Sequence, residues 1–334
     1  MIEEGHWRKQ LRIDAVPVLL ASGDEAIAYF TRRDLLNESV EPIRFVWELP
    51  APQKMLRKQL ADGSWKYPGR KTEVYPEYHH SLLETFKQFR ILVQRYEFIR
   101  EHSATLKAAE YLFSCQTGEG DIRGMIGNQY ATYYTGAILA LLIKAGYEDD
   151  PRTEKGIQWL LSMRQDDGGW VIPLITRNLD AETINRITSQ YAEPLEPDRT
   201  KPFSHNWTNM VLQAFAAHPR YRVSKEAKLA GTLLKSRFFK PDVYPSYRDA
   251  GYWVRFAFWW SNLLMALDSL SLIGFTREDA DIRKALDWFI DNQEPDGLWK
   301  MSYKEEKGIK NGGKIEERLW LSLAICRIIK RYFK

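Results

Sequence analysis

Apolar residues recur along this chain in two alternating helical patterns. In the first pattern, the apolar positions lie on one side of a helix, at the spacing i, i+3, i+4, i+7 and i+8. The clearest example comprises Ile282, Ala285, Leu286, Phe289 and Ile290. Helices of this kind follow good start signals, since Asp caps a helix and Pro is tolerated at its first position, as in Asp150-Pro151.

In the second pattern, the apolar residues extend most of the way round the helix. This pattern occupies residues 81–96, 130–145, 207–217, 258–273 and 315–332. A helix that is apolar on nearly all sides is buried between layers. The alternation therefore predicts an outer layer of one-sided helices and an inner layer of buried ones. No segment with the period-2 pattern of a strand competes with this interpretation.

A short motif recurs where the outer helices end. Gln, Asp-Gly and Trp occur in this order at residues 59–65, 165–170 and 293–299; residues 116–121 form a worn copy without the Trp, and residues 236–239 an eroded one. A period of about 50 residues indicates a helical repeat array. We therefore predict an all-α fold with residues 1–334 in one domain. Helices within residues 1–42 are expected to close the array.

The motif has a structural explanation in this interpretation. Asp-Gly makes the turn between the outer and the inner helix, Trp packs against the neighbouring repeat, and Gln satisfies backbone groups at the helix end. The acidic residues Asp62, Asp166, Asp167 and Asp296 are therefore expected to be structural.

The motif resembles the QW repeat of squalene–hopene cyclases, which is related to the repeats of protein prenyltransferases. The resemblance covers nearly the whole chain from about residue 45, and the single repeat array is most similar to small, uncharacterised bacterial members with one domain. It implies an α/α toroid, that is, a double ring of five to six helix pairs around a central cavity. It also implies a hydrophobic, isoprenoid-like ligand in that cavity.

The catalytic motifs of these families do not carry over to this chain. The Asp-x-Asp-Asp run of the cyclases is absent, and Asp279-Ala280-Asp281 suits the first turn of a helix. Neither Cys115 nor Cys326 has the neighbours of a prenyltransferase zinc ligand, and both are expected to be buried free thiols. We predict no metal and no cofactor, and whether the protein is an enzyme stays open.

Charge and composition restrict the partners further. The chain has 48 basic and 44 acidic residues and a net charge of +4, which does not indicate a nucleic-acid-binding protein. No signal peptide and no apolar run of membrane-spanning length are visible, so we predict a cytoplasmic protein. Peripheral membrane contact and the oligomeric state stay open.

The topology locates a candidate site, because every inner helix starts after the same turn and all their N-termini should face one mouth of the toroid. These N-termini favour anionic ligands. The candidate catalytic residues, acting as acids or bases, are His79, His205, Tyr134 and Glu317. The candidate ligand-binding residues are His80, Asn128, Tyr130, Tyr133, Asn206, Trp207, Arg255, Trp259, Trp260, Asn262 and Trp320.

Two functions compete for this ring of side chains. Aromatic walls suit an isoprenoid or another lipid, since ring faces stabilise a carbocation. His, Tyr and Asn would instead suit a polysaccharide lyase or a glycosidase-like protein acting on an acidic sugar. A protein-interaction scaffold without catalysis is the third alternative. Residues 174–204 form a long, Pro-containing insertion next to this mouth and are a candidate lid.

Overall fold

The computed structural model describes residues 5–69, 79–125, 127–128, 130–245, 248–256, 260–304 and 314–334. Within these ranges the regular structure is helical, and the bridges between extended residues are isolated ones. The α-helices are α1 (Val16–Leu20), α2 (Glu25–Phe30), α3 (Arg44–Trp47), α4 (Pro50–Leu56), α5 (His80–Tyr96), α6 (Ser103–Ser114), α7 (Thr132–Lys144), α8 (Pro151–Ser162), α9 (Pro173–Thr176), α10 (Ala181–Ser189), α11 (His205–Ala217), α12 (Lys225–Lys235), α13 (Leu263–Ile273), α14 (Ala280–Asp291) and α15 (Ile315–Tyr332). The predicted all-α class is confirmed.

The chain forms two compact units. Unit 1 comprises residues 1–49 and 234–334, and unit 2 comprises residues 50–233. The predicted alternation is present within the described residues: α4, α6, α8, α12 and α14 are the outer helices, and α5, α7, α11, α13 and α15 follow them as the inner ones.

The helix starts follow from local chemistry. Asp150 accepts a hydrogen bond from the Arg152 amide at 2.8 Å, and Pro151 occupies the first position of α8. Asp279 caps α14 by accepting from the amides of Asp281 and Ile282. Helix α14 therefore begins at a simple Asp cap.

Inner helices α7 and α11 pack against each other along unit 2. Every residue of α7 from Thr132 to Ile143 is buried, as the all-round apolar pattern predicts. Gly136 allows the two backbones to approach closely, because a Cβ at this position would lie 2.6 Å from the Cα of Val211. The two helices form the centre of the unit.

The turns that end in Trp65, Trp170 and Trp299 are fixed by the same two bonds, and the worn copy at Ile122 keeps only the second of them. The indole N–H of the motif Trp donates to the carbonyl ten residues earlier, as Trp170 does to Leu160 at 2.7 Å. The backbone N–H at the Trp position donates to a hydroxyl on the following inner helix. These pairs are Trp65 with Thr85, Ile122 with Thr135, Trp170 with Thr208, and Trp299 with Ser322, at 2.9 to 3.1 Å.

The motif Gln joins neighbouring repeats. Gln59 Nε2 donates to Gly63 O in its own turn at 3.0 Å and to Ala104 O, at the start of α6, at 2.8 Å. Gln116 and Gln293 make the corresponding pairs of bonds. Their structural role in the repeat is confirmed.

In the third copy, the motif Gln lies one residue closer to the Trp than it does in the other copies. Arg164, six residues before Trp170, takes the place of Gln59 and donates from Nε to Gly168 O at 3.1 Å. Gln165 is thereby released, and its Nε2 bonds the carbonyls of Asp198 and Lys201 at 2.7 and 3.0 Å. The Gln of this copy therefore holds the 174–204 insertion.

The turns also explain a strict glycine requirement. Gly63 has φ = +88°, and a Cβ there would lie 2.1 Å from the carbonyl oxygen of Lys107. Gly23 has φ = +75°, but nothing lies within 4 Å of its added Cβ. We expect Gly63→Ala to destabilise the protein by about 2–3 kcal/mol and Gly23→Ala by about 1 kcal/mol, since only the first adds a backbone clash to the strain. Equal urea midpoints for the two variants would contradict this prediction.

Candidate functional site

An aromatic cluster lies at the N-terminal ends of α7 and α11 in unit 2. The rings of Tyr133 and Tyr134 are 4.1 Å apart between centroids, and Tyr133 lies 6.5 Å from the ring of Trp207. All three side chains are buried. The structure thus brings together three of the aromatic residues predicted from sequence.

The first turns of α11 add polar groups to this cluster. Ser204 is the N-cap, and its Oγ accepts from the Trp207 amide at 3.5 Å. His205, Asn206 and Asn209 follow and are all buried. These side chains therefore place polar groups inside an otherwise apolar helix pair.

Two predicted residues precede α7. The backbone N–H of Asn128 donates to Thr188 O of the insertion at 2.7 Å. Tyr130 is buried, and the Arg123 guanidinium lies 4.6 Å from its ring centroid. Burial raises the pKa of Tyr130, so its phenol stays protonated at neutral pH. Both residues therefore lie beside the insertion.

His79 and His80 begin α5. His79 is exposed, and its Nε2 is 3.3 Å from the Tyr111 hydroxyl on α6. Burial raises the pKa of Tyr111 to about 12, so the phenol is neutral and can donate to the imidazole. The ring of His80 lies 4.7 Å from that of Tyr67 and is tilted by 38° to it. Both histidines therefore have a tyrosine neighbour at the start of α5.

Four other predicted residues lie in unit 1. Asn262 caps α13 by accepting from the Met265 amide at 3.0 Å, and its Nδ2 donates to Trp260 O at 2.9 Å. Arg255 lies 6.0 Å from the Tyr252 ring. Trp320 is buried with its ring 6.2 Å from that of Phe30. These contacts position local backbone and core.

Glu317 lies in the first turn of α15, where its Oε2 accepts from the Lys314 amide at 3.4 Å, which is one half of a capping box. The side chain is exposed. This geometry gives Glu317 a capping function, and its role as acid or base stays a prediction. Trp259 lies outside the described residues.

Sequence reasoning missed one buried acid of α5. Glu84 is 4% exposed, and its Oε1 accepts from Gln88 Nε2 at 2.5 Å. Lys87 Nζ is 3.8 Å from the other carboxylate oxygen. The available signal was its spacing of four residues from His80, which places both side chains on one stripe of the helix.

The two thiols differ in exposure. Cys326 is buried, whereas Cys115, at the end of α6, is partly exposed. Burial raises the pKa of Cys115 to about 11, so the thiolate is scarce at neutral pH. Within the part of the chain that the structure describes, no three His, Cys, Asp or Glu residues are grouped as a metal site would need. No helix among those residues is long and apolar enough to cross a bilayer.

Comparison with known proteins finds a short match to one cyclase. The chain is 35% identical over 91 residues to a probable squalene–hopene cyclase of Sinorhizobium fredii. The match covers 27% of this chain and 14% of that relative. No model of a known protein family matches the chain.

Solved structures give distant similarities. A protein from Actinoplanes aligns with a TM-score of 0.45 and 15% identity, covering 92% of this chain and 90% of that one. The type II terpene cyclase MstE from Scytonema aligns with a TM-score of 0.35 and 14% identity, covering 86% of this chain and 98% of the cyclase. Another structure of that cyclase, with geranylgeranyl dihydroxybenzoate as substrate, gives a TM-score of 0.35 at 15% identity over 87% and 97% of the two chains.

Proposed function

We propose that this protein is an α/α toroid that binds a hydrophobic, isoprenoid-like molecule at the N-terminal ends of inner helices α7 and α11. In this proposal the single domain of residues 1–334 is closed by its N-terminal helices. The proposal is supported by the QW-type turns and by the 91-residue match to a probable squalene–hopene cyclase.

The observation that carries the proposal is the buried cluster of Tyr133, Tyr134 and Trp207. Aromatic side chains of this kind provide large apolar faces for a hydrocarbon, and those faces also attract a cation. The polar groups of His205 and Asn206 adjoin them on α11 and are buried as well. An apolar wall with a few convergent polar groups is typical of a small-molecule site.

The arrangement also defines what chemistry the site would support. Of the four predicted acids and bases, Tyr134 and His205 belong to the buried cluster, whereas His79 and Glu317 are exposed. If the ligand is transformed, we infer that His205 moves the proton, because imidazole exchanges protons near neutral pH. Tyr134 would then position the ligand.

Binding is tested with a dansyl-labelled farnesol, whose emission reports transfer of the probe into an apolar site. We expect Trp207→Phe to weaken binding by about tenfold, since the smaller ring offers less area and a weaker face. The matched control is Trp159→Phe on outer helix α8, which is also buried. That change should alter the melting temperature without altering affinity for the probe.

The outcomes separate the alternative functions. Saturable binding of the probe that Trp207→Phe weakens, and Trp159→Phe does not, supports the proposal. Binding of an oligogalacturonate, with no binding of the probe, would favour the acidic-sugar alternative. Binding of neither ligand would leave the scaffold.

A further inference from the structure

The worn repeat copy at residues 116–122 differs from the other copies at positions that contact the 174–204 insertion. In the first and last copies, Asp62 and Asp296 accept from the backbone amide two residues later. The second copy has Glu119 at that position, and its longer side chain accepts from the Tyr191 hydroxyl of the insertion at 2.6 Å. The contact with Tyr191 thus explains why this copy has Glu where the other copies have Asp.

The side chain of Arg123, directly after this copy, makes the main connection. It is 5% exposed, and its guanidinium lies between two rings, 4.6 Å from the centroid of Tyr130 and 4.8 Å from that of Tyr191. Such stacking of a desolvated cation is among the stronger cation–π geometries. Arg123 therefore joins the segment before α7 to the insertion.

Each guanidinium nitrogen of Arg123 also has a polar partner. Nε pairs with Asp121 Oδ2 at 2.8 Å, Nη1 donates to Ala192 O at 2.6 Å, and Nη2 lies 3.4 Å from Glu119 Oε2. Asp121 is itself fully buried. A buried charge that is bonded at every nitrogen holds its partners in one geometry.

Hydrogen bonds hold the two ends of the insertion, residues 174–177 and 196–204, which we call its roots. The amide of Asp198 donates to Thr176 Oγ1 at 2.9 Å, and Arg177 Nε donates to Glu196 O at 2.9 Å, so the two arms are tied to each other. The amide of Phe203 donates to Asp167 Oδ2 at 2.8 Å, which ties the second root to the third repeat copy. The segment between these ties comprises residues 178–195 and includes α10.

We propose that residues 178–195 form a strap over the α7 end of the aromatic cluster, and that Arg123 is the latch that holds the strap closed. The proposed function supplies the reason for opening, because a ligand reaching Tyr133 and Tyr134 from this end must pass the strap. The strap contacts Asn128 through Thr188 and reaches the Tyr130 ring through Arg123. Opening pivots about the tied roots and leaves them in place.

Hydrogen exchange measured by mass spectrometry tests the latch without a ligand. We expect Arg123→Lys, which keeps the charge but loses the planar fork, to raise exchange in residues 178–195 by roughly tenfold. Tyr191→Ala should raise it less, by about threefold, and cannot unfold the core since Tyr191 is 59% exposed. Exchange in residues 196–204 should stay unchanged in both variants.

The matched control is Arg152→Lys. Arg152 also stacks on a ring, 4.0 Å from the centroid of Phe113, and pairs with Glu110 and Asp150, but it makes no contact with the strap among its described partners. It should leave strap exchange unchanged. The latch is overturned if strap exchange is unchanged in Arg123→Lys and Tyr191→Ala, or rises equally in the roots.

Stopped-flow binding of the dansyl-labelled farnesol tests the covering role. Tyr191→Ala should raise the association and dissociation rates by a similar factor of about threefold, leaving the affinity nearly unchanged. An unchanged association rate together with raised strap exchange would overturn the covering role. Absence of probe binding in every variant would instead reject the proposed function, and the exchange result would still decide the latch.

Discussion

Trp170→Ala is expected to destabilise unit 2 by about 3–5 kcal/mol, the range for removing a large aromatic side chain from a core. Trp170 is fully buried, its indole N–H bonds Leu160 O at 2.7 Å, and its ring lies 5.2 Å from that of Phe215. The substitution removes all of these contacts, and the Leu160 carbonyl keeps only the weaker bond from the Met163 amide at 3.2 Å. The loss should appear as a lower urea midpoint with a similar slope.

Trp170→Phe separates the contributions to this loss. It retains most of the apolar plate but not the indole N–H, so we expect a loss of about 1–2 kcal/mol. Leu106→Ala is the control, since Leu106 is exposed on α6 and its truncation should change stability by less than about 0.5 kcal/mol. The structural account of the motif is wrong if Trp170→Ala behaves like this control.

The helices and their layers could be predicted from the sequence because both depend on local spacing. Burial of every residue from Thr132 to Ile143 follows from an apolar pattern within one stretch. The caps at Asp24, Asp150 and Asp279 likewise depend on neighbours two or three residues away. Such features need no knowledge of the rest of the chain.

The hydroxyl partner of each turn could not be predicted in this way. Thr85, Thr135, Thr208 and Ser322 lie 20, 13, 38 and 23 residues after the amides that they accept from. The connections between outer and inner helices differ in length, so no fixed spacing marks these residues. Their common feature is a place on the inner helix facing the turn, which only the packed structure defines.

The shifted third copy shows a second limit of the motif. Aligning the Gln residues equates Gln165 with Gln59, whereas aligning the Trp residues equates Arg164 with it. The structure agrees with the alignment on the Trp residues, because Arg164 makes the bond to its own turn and Gln165 bonds the insertion. Turn geometry is fixed by the buried Trp, and either side chain can reach the carbonyl that needs a donor.

Among the candidate site residues, some lie together because helices pack, whereas others follow a local rule. Tyr133, Tyr134, His205 and Trp207 lie together since α7 and α11 pack directly against each other. Glu317 shows a competing local preference. An acid at the third position of a helix is favoured because it caps the helix start, whatever the rest of the chain does. Position at a helix N-terminus is therefore insufficient to distinguish a functional acid from a cap.

The second large effect is expected at Lys330, whose side chain joins the last helix of unit 1 to the segment that follows α2. Lys330 is 7% exposed, and Nζ donates to Asp34 O at 2.5 Å, Leu35 O at 3.2 Å and Asn37 Oδ1 at 2.6 Å. Two of these acceptors are carbonyls at the end of the π-helical turn Thr31–Leu35, which lack partners within the turn. Asn37, with φ = +58°, allows the chain to turn back towards the ammonium group.

We expect Lys330→Met to destabilise unit 1 by about 3 kcal/mol, because the carbonyls stay buried while their donor is lost. The side chain of Met fills a similar volume, so the loss measures hydrogen bonding and not a cavity. Hydrogen exchange should rise in residues 31–37 before the rest of the unit. Lys300→Met is the matched control, since Lys300 pairs with Glu294 in a half-exposed ion pair worth about 0–1 kcal/mol. Equal losses in the two variants, or no local rise in exchange, would show that the N-terminal segment is held by apolar packing alone, since the carbonyls would then have found water or another donor.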